Sequence, residues 1–208
     1  MTPMPQSKPF DLSNALHDYC QRHPDEAGVV DRFRSLLSDR TRCFERDNFL
    51  PGHITGSAWL VDESGDHVLL THHRKLDAWL QLGGHSDGDT NTAAVARREA
   101  EEESGLAVEL LSDEILDIDV HEIPARKTDP AHFHFDVRFA LVSRSGRGYT
   151  VSDESHDLAW VPVDKMDQYT AEESILRMAR KWKALRGAIM ASPRSDRCTH
   201  PSSMETPE

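Results

Sequence analysis

Apolar positions along residues 11–38 recur at helical spacing. In "DLSNALHDYCQRH" and "PDEAGVVDRFRSLLSD" they gather on one side of a 3.6-residue turn, and Pro24 stands where a second helix would start. A helical hairpin ahead of the main fold is predicted. From residue 52 the period shortens. "GHITGSAWLVDESGDHVLLTHH" reads as two strands around the turn "ESGD", and a further short strand is expected around Trp79 to Leu82. "TNTAAVARREAEEES" returns to helix, with Asp89, Thr90 or Asn91 available as cap and Gly105 as stop. "EILDIDVHEI" and "HFHFDVRFALVS" alternate at the strand period, "LAWVPV" adds a strand, and "AEESILRMARKWKAL" is amphipathic at the helical one. Residues 1–10 and the tail "SPRSDRCTHPSSMETPE" carry prolines and no period, and order is not expected there. Strands interleaved with helices predict an α/β fold, a mixed sheet covered by helices. The divisions expected are a helical extension over 1–47, a main domain over 48–190 and a tail over 191–208.

Charge narrows the class of partner. The 208 residues carry a formal net charge of −12 and no basic run, which argues against a groove that tracks a nucleic-acid polymer by charge. An anionic substrate would need a bound cation to attract it. Cys20, Cys43 and Cys198 are widely spaced, without metal-type spacing, and read as thiols of a reducing compartment. No apolar run resembles a signal peptide or a membrane span, so a cytoplasmic protein without a membrane partner is expected.

The acidic knot "REAEEES" is the densest chemistry in the chain. Taking about 100° per residue with Glu99 as zero, Glu102 falls near roughly −60° and Glu103 near +40°, on one face. Glu101 points to the far side beside Arg97, as a solvated ion pair would. Ala93, Ala96 and Ala100 form a small-residue stripe that the acidic trio borders. Like charges at i,i+4 cost roughly 0.2–0.5 kcal/mol on an exposed helix, and more at a buried margin. Either a solvated face or a hard divalent cation such as Mg²⁺ accommodates them.

Gly84, Arg98-Glu99-Ala100, Glu102-Glu103 and Gly105-Leu106 together resemble the signature of the Nudix hydrolase superfamily, with Thr90 standing where that signature has its first glutamate. The resemblance implies a Nudix-type α/β/α sandwich and a Mg²⁺- or Mn²⁺-dependent hydrolase. It would cleave the diphosphate bond of a small molecule, a nucleoside diphosphate linked to another moiety. Carried over residue by residue, it makes Glu99, Glu102, Glu103 and the Gly83 carbonyl metal ligands, and Glu99 the general base within the box. Arg98 would orient a box glutamate. Some members recruit a base from a later loop, where "SDESHDLAW" offers Asp153, Asp157 and, preferred here, Glu154. Many members are dimers, so a homodimer is a further implication.

The strand "HFHFDVRF" puts His132, His134, Asp136 and Arg138 on one face and Phe133, Phe135, Val137 and Phe139 on the other. The apolar face is core; the polar one goes to solvent or lines a cavity. On the resemblance, His132, His134 and Arg138 become phosphate or base contacts, joined by His85 after the glycine pair and by Arg126 in "IPARKTDPAH". Two alternatives accompany it. In the Nudix-fold isopentenyl diphosphate isomerases a histidine comparable to His85 ligates a metal, which would make His85 with His132 or His134 a separate site. Gly83 and Gly84 stand where such an isomerase would need its cysteine. A non-catalytic nucleotide-sensing domain is the other, favoured by Thr90 and opposed by the intact glutamates.

Overall fold

The strand Gly52–Val61 (β1) is buried at every position, which only a strand paired on both edges and covered on both faces can be. The computed structural model describes residues 10–38, 42–74, 77–126, 129–151 and 155–191. β1 runs parallel to His132–Ser143 (β6), which pairs antiparallel with Val108–Ile123 (β5). On its other edge β1 pairs antiparallel with Leu82–His85 (β4) and, at Val61, with His67–His73 (β2). β2 in turn pairs with Ala78–Leu80 (β3) and Ser155–Pro162 (β7), giving a mixed seven-stranded sheet.

The single strand expected around Trp79 to Leu82 is two. The chain changes partner at Gln81, whose Nε2 donates to Asp136 Oδ2 at 3.1 Å, and the ladder breaks there. β5 is also longer than its alternation foretold, because register shifts after Leu110 and Ile115 interrupt the period.

Helices cover both faces. Leu12–Arg22 (α1) and Ala27–Ser38 (α2) form the expected hairpin, with Pro24 opening a one-turn 3₁₀ helix between them. They bury Leu16, Tyr19, Val30 and Phe33 in one apolar cluster with Phe135, Val137 and Phe139 of β6. Thr92–Ser104 (α3) adds Ala93, Ala96 and Ala100 to that cluster. Glu173–Ala191 (α4) buries Ile175, Met178 and Trp182 on the opposite face, against Trp59, Val61, Ala140 and Val142. Among the described residues no helix is long and apolar enough to cross a membrane.

The register of four strands assembles a polar surface under the α4 side. His53 pairs His134, which pairs His121; Thr55 lies between His85 and Asp136; Ser57 lies between Gly83 and Arg138. Arg138, which is 2% exposed, donates to Asp136 at 2.7 Å, Asp117 at 2.9 Å and Asp119 at 3.3 Å. Arg177 of α4 reaches Asp117 at 2.8 Å and Asp119 at 3.1 Å, and Lys181 reaches Asp117 and Glu26 at 2.6 Å each. Lys181 also donates to the Tyr19 hydroxyl, so the network pins α1 and α4 to the same strand. Burial raises the Asp117 and Asp119 carboxyls; Arg177, Arg138, Lys181 and, for Asp119, His121 outweigh it and hold both below the ordinary range.

Removing one partner from such a buried set leaves an uncompensated charge, which costs about 3–5 kcal/mol. Arg138→Met should therefore lose about that much stability in urea unfolding. Arg34→Met, which breaks an exposed pair with Asp31, should change stability by less than about 0.5 kcal/mol. Equal midpoints for the two variants would show that the network is not structural.

Candidate active site

The acidic helix sits where it does because glycines let it approach: a Cβ on Gly56 of β1 would lie 2.7 Å from the Thr92 carbonyl oxygen. On β4, a Cβ on Gly84 would lie 2.3 Å from Glu99 Oε2. A Cβ on Gly83 would lie 2.2 Å from Ser57 Oγ. At the start of α3 the side chain of Asn91, of the three caps the sequence offered, accepts from Ala94 N at 3.1 Å. At its end Gly105 takes the left-handed conformation (φ 69°), which a residue with a Cβ rarely adopts.

Two of the three carboxylates, Glu99 and Glu103, meet β4. Glu103 Oε1 accepts from Gly83 N at 2.7 Å. Glu99 is packed against Gly84 and accepts from Arg98 Nη2 at 2.9 Å. Glu102 is more exposed, with an oxygen 4.0 Å from Arg98 Nε. Burial pushes the Glu99 carboxyl up, against the downward pull of Arg98. Glu101 pairs with Arg97 at 3.1 Å on the far side of the helix.

Arg98 is anchored without a glutamate at position 90. Its Nη2 donates to the His85 carbonyl at 2.9 Å and to Glu99. Thr90 is exposed and lines a separate cleft of 490 Å³ between the ends of α1 and α2, with Phe10, Asp11 and Phe44. Asp89 accepts from Asn91 N at 2.9 Å, and Asp87 stands 3.6 Å from Arg46.

Next to this face lies a group of imidazoles. The His53 ring is 5.1 Å from His85, 5.1 Å from His132 and 4.7 Å from His134, centroid to centroid. His85 and His134 are 5.2 Å apart, and His121 lies 5.5 Å from His134. His53 was not anticipated, although polar His53, Thr55 and Ser57 alternate in β1 as the histidines do in β6. Arg46, from the segment before β1, donates to His85 Nδ1 at 3.0 Å. Burial disfavours the charged form of His53, His85 and His134. It lowers His85 to about 4, helped by Arg46 and His53, and lowers His53 and His134 as well, with the neighbouring imidazoles adding to the effect.

The remaining site candidates fall in three places. His132 and His134 join His85 in the imidazole group. Arg138 stands apart from them: it is enclosed by three aspartates and has no exposed surface to offer a phosphate. Arg126 is exposed on the β5–β6 loop, and Glu154 lies outside the described residues.

Residues 52–182 match the model of the NUDIX domain. Among solved structures, the chain is similar to a NUDIX-family hydrolase from Clostridium perfringens, with 27% identity over 64% of this chain and 97% of that one and a TM-score of 0.49. An ADP-ribose pyrophosphatase from Streptococcus suis matches at 20% identity over 64% and 91%, TM-score 0.46. An Ap4A hydrolase from C. elegans matches at 13% identity over 65% and 98%, TM-score 0.47. No curated protein matches.

The neutral imidazoles set a pH dependence. Below the ordinary histidine value of 6.5 the unfolded chain binds protons that folded His53, His85 and His134 refuse, so stability falls as pH drops from there toward their folded values. In chelator-containing buffer, Tm should decline between about pH 6.5 and 4.5. His134→Gln should flatten that decline. A wild-type Tm constant across the range would show that the rings are not buried neutral.

Proposed function

This chain belongs to the NUDIX domain family, and on that premise we propose that it is a metal-dependent pyrophosphohydrolase. Its substrate would be a small molecule in which a nucleoside diphosphate is linked to another moiety. The observation that carries this reading is the acidic side of α3: Glu103 and Glu99 lie against the Gly83–Gly84 backbone, and Glu102 stands near Arg98, the guanidinium that also holds Glu99. Burial, with a smaller contribution from Glu102, raises the Glu99 carboxyl, so its ionised form gains from a nearby cation. Hard oxygens of this kind suit Mg²⁺ or Mn²⁺. Glu99, Glu102 and Glu103 would hold the ion, with the Gly83 carbonyl as a further oxygen. Such an ion, when bound, neutralises diphosphate charge and lowers the pKa of water.

The chain's own groups supply the rest. Glu99, half-buried and with its carboxyl raised by burial, would take the proton from the attacking water. Glu154, which precedes β7 in the sequence, is the second candidate for that proton. Arg98 would keep Glu99 in place through its bond to the His85 carbonyl. The rings of His85, His132 and His134 and the exposed Arg126 are proposed to border the bound phosphates.

Screening nucleotide sugars, dinucleotides and nucleoside triphosphates with Mg²⁺ and Mn²⁺ should reveal turnover. Glu102→Gln and Glu103→Gln should abolish it while unfolding like wild type. In the Glu103→Gln variant the amide oxygen still offers an acceptor to Gly83 N. Whichever of Glu99→Gln and Glu154→Gln removes the base should lower kcat by about 10²–10⁴. Full turnover in both the Glu102 and Glu103 variants would sink the mechanism. Metal-independent nucleotide binding without turnover would point to a sensor.

A further inference from the structure

We propose that His53, His132 and His134 form a second metal site, for a borderline-soft divalent cation of the Zn²⁺ class, distinct from the carboxylate face of α3. Among the described residues these three are the set of His, Cys, Asp or Glu side chains whose donor atoms all lie within 4.8 Å of one another. The glutamates of α3 do not converge in this way. Three points no more than 4.8 Å apart share a centre within about 2.8 Å of each, against roughly 2.0–2.1 Å for a zinc–imidazole bond. Small rotations of the three rings close that gap.

Two of the three tautomers are already set for ligation. His53 Nδ1 lies 3.1 Å from the Asn48 carbonyl and His132 Nδ1 lies 2.8 Å from the Pro130 carbonyl. A carbonyl only accepts, so each Nδ1 carries the proton and each Nε2 keeps its lone pair. Backbone carbonyls hold metal-binding histidines in the same manner. His53 is 1% exposed, and its Nε2 is a buried acceptor with no hydrogen-bond partner. A folded chain rarely leaves such an atom unmet, and a cation among the rings meets it.

Donor chemistry separates the two sites. The imidazole set has no carboxylate in it and favours Zn²⁺, Co²⁺ or Ni²⁺ over Mg²⁺. The α3 set is all oxygen. His85 stays outside the first set, because its Nδ1 lone pair is taken by Arg46. Three protein ligands leave a fourth position for water, and Asn48 ties the site to the segment before β1 through its Nδ2 bond to the Gly52 carbonyl at 2.7 Å.

The test is metal uptake by the full chain after stripping with chelator. Titrated with Co²⁺, wild type should take up one tight equivalent with the visible absorption of a tetrahedral ion, and Zn²⁺ should displace it and raise Tm. A Glu102→Gln/Glu103→Gln double variant should retain that uptake, so failure of the hydrolase reading leaves this result untouched. His132→Gln should weaken Zn²⁺ binding more than about tenfold and lose the thermal shift. Should His132→Gln fail to fold, His134→Gln serves the same comparison. Absence of tight Co²⁺ uptake by wild type overturns the proposal, as does uptake lost in the glutamate variant and kept in the histidine one.

Discussion

A polar sheet face closed off from water is the constraint on which the rest of the structure depends. The α4-side face of β1, β5 and β6 carries Asp117, Asp119, Asp136, Arg138 and the histidines, and most of it is covered. Charges removed from water must be paired or neutralised. Under α4 they are paired, with Arg138, Arg177 and Lys181 set against the aspartates. Beyond the reach of these cations the same face holds imidazoles, which can be buried uncharged. One surface thus has two solutions to the same problem, chosen by what lies over each half.

That face is continuous with the acidic helix through β4. Asp136 accepts from Thr55, Ser57, Gln81 and Arg138, which fixes the strand that leads into Gly83 and Gly84. Gly56 of β1 and Gly84 of β4 then admit α3, whose Thr92 carbonyl and Glu99 carboxylate occupy the space a Cβ would take. Arg98 closes the circuit by holding both Glu99 and the His85 carbonyl. The segment ahead of the family match takes part as well. Tyr19 and Glu26 meet Lys181 on one side, and Arg46 and Asn48 hold His85 and His53 on the other. The family model begins at residue 52, yet residues before it shape the imidazole group.

Local pattern made much of this legible. The 3.6-residue spacing gave α1, α2, α3 and α4, and the common face of Glu99, Glu102 and Glu103 follows from their spacing alone. Alternation in "HFHFDVRF" separated Phe135, Val137 and Phe139 from the polar residues, as the core confirms. It failed where the ladder is irregular. The break at Gln81 reflects a change of partner strand, and the early start of β5 was hidden by its register shifts.

What the sequence determined by itself is which residues share an element and a face, because helix and strand periods are properties of the local backbone. What only the tertiary structure decided is which faces meet. Register across β4, β1, β6 and β5 put His53 beside His134 and Arg138 beside Asp117, although 81 and 21 positions separate them along the chain. Nothing in "HFHFDVRF" distinguishes Arg138 from His134 as a site residue; α4 covers the one with its cations and leaves the other among rings. Cross-strand pairing and the placing of a helix over a sheet are long-range choices, made by the burial of whole faces, and no window of sequence contains them.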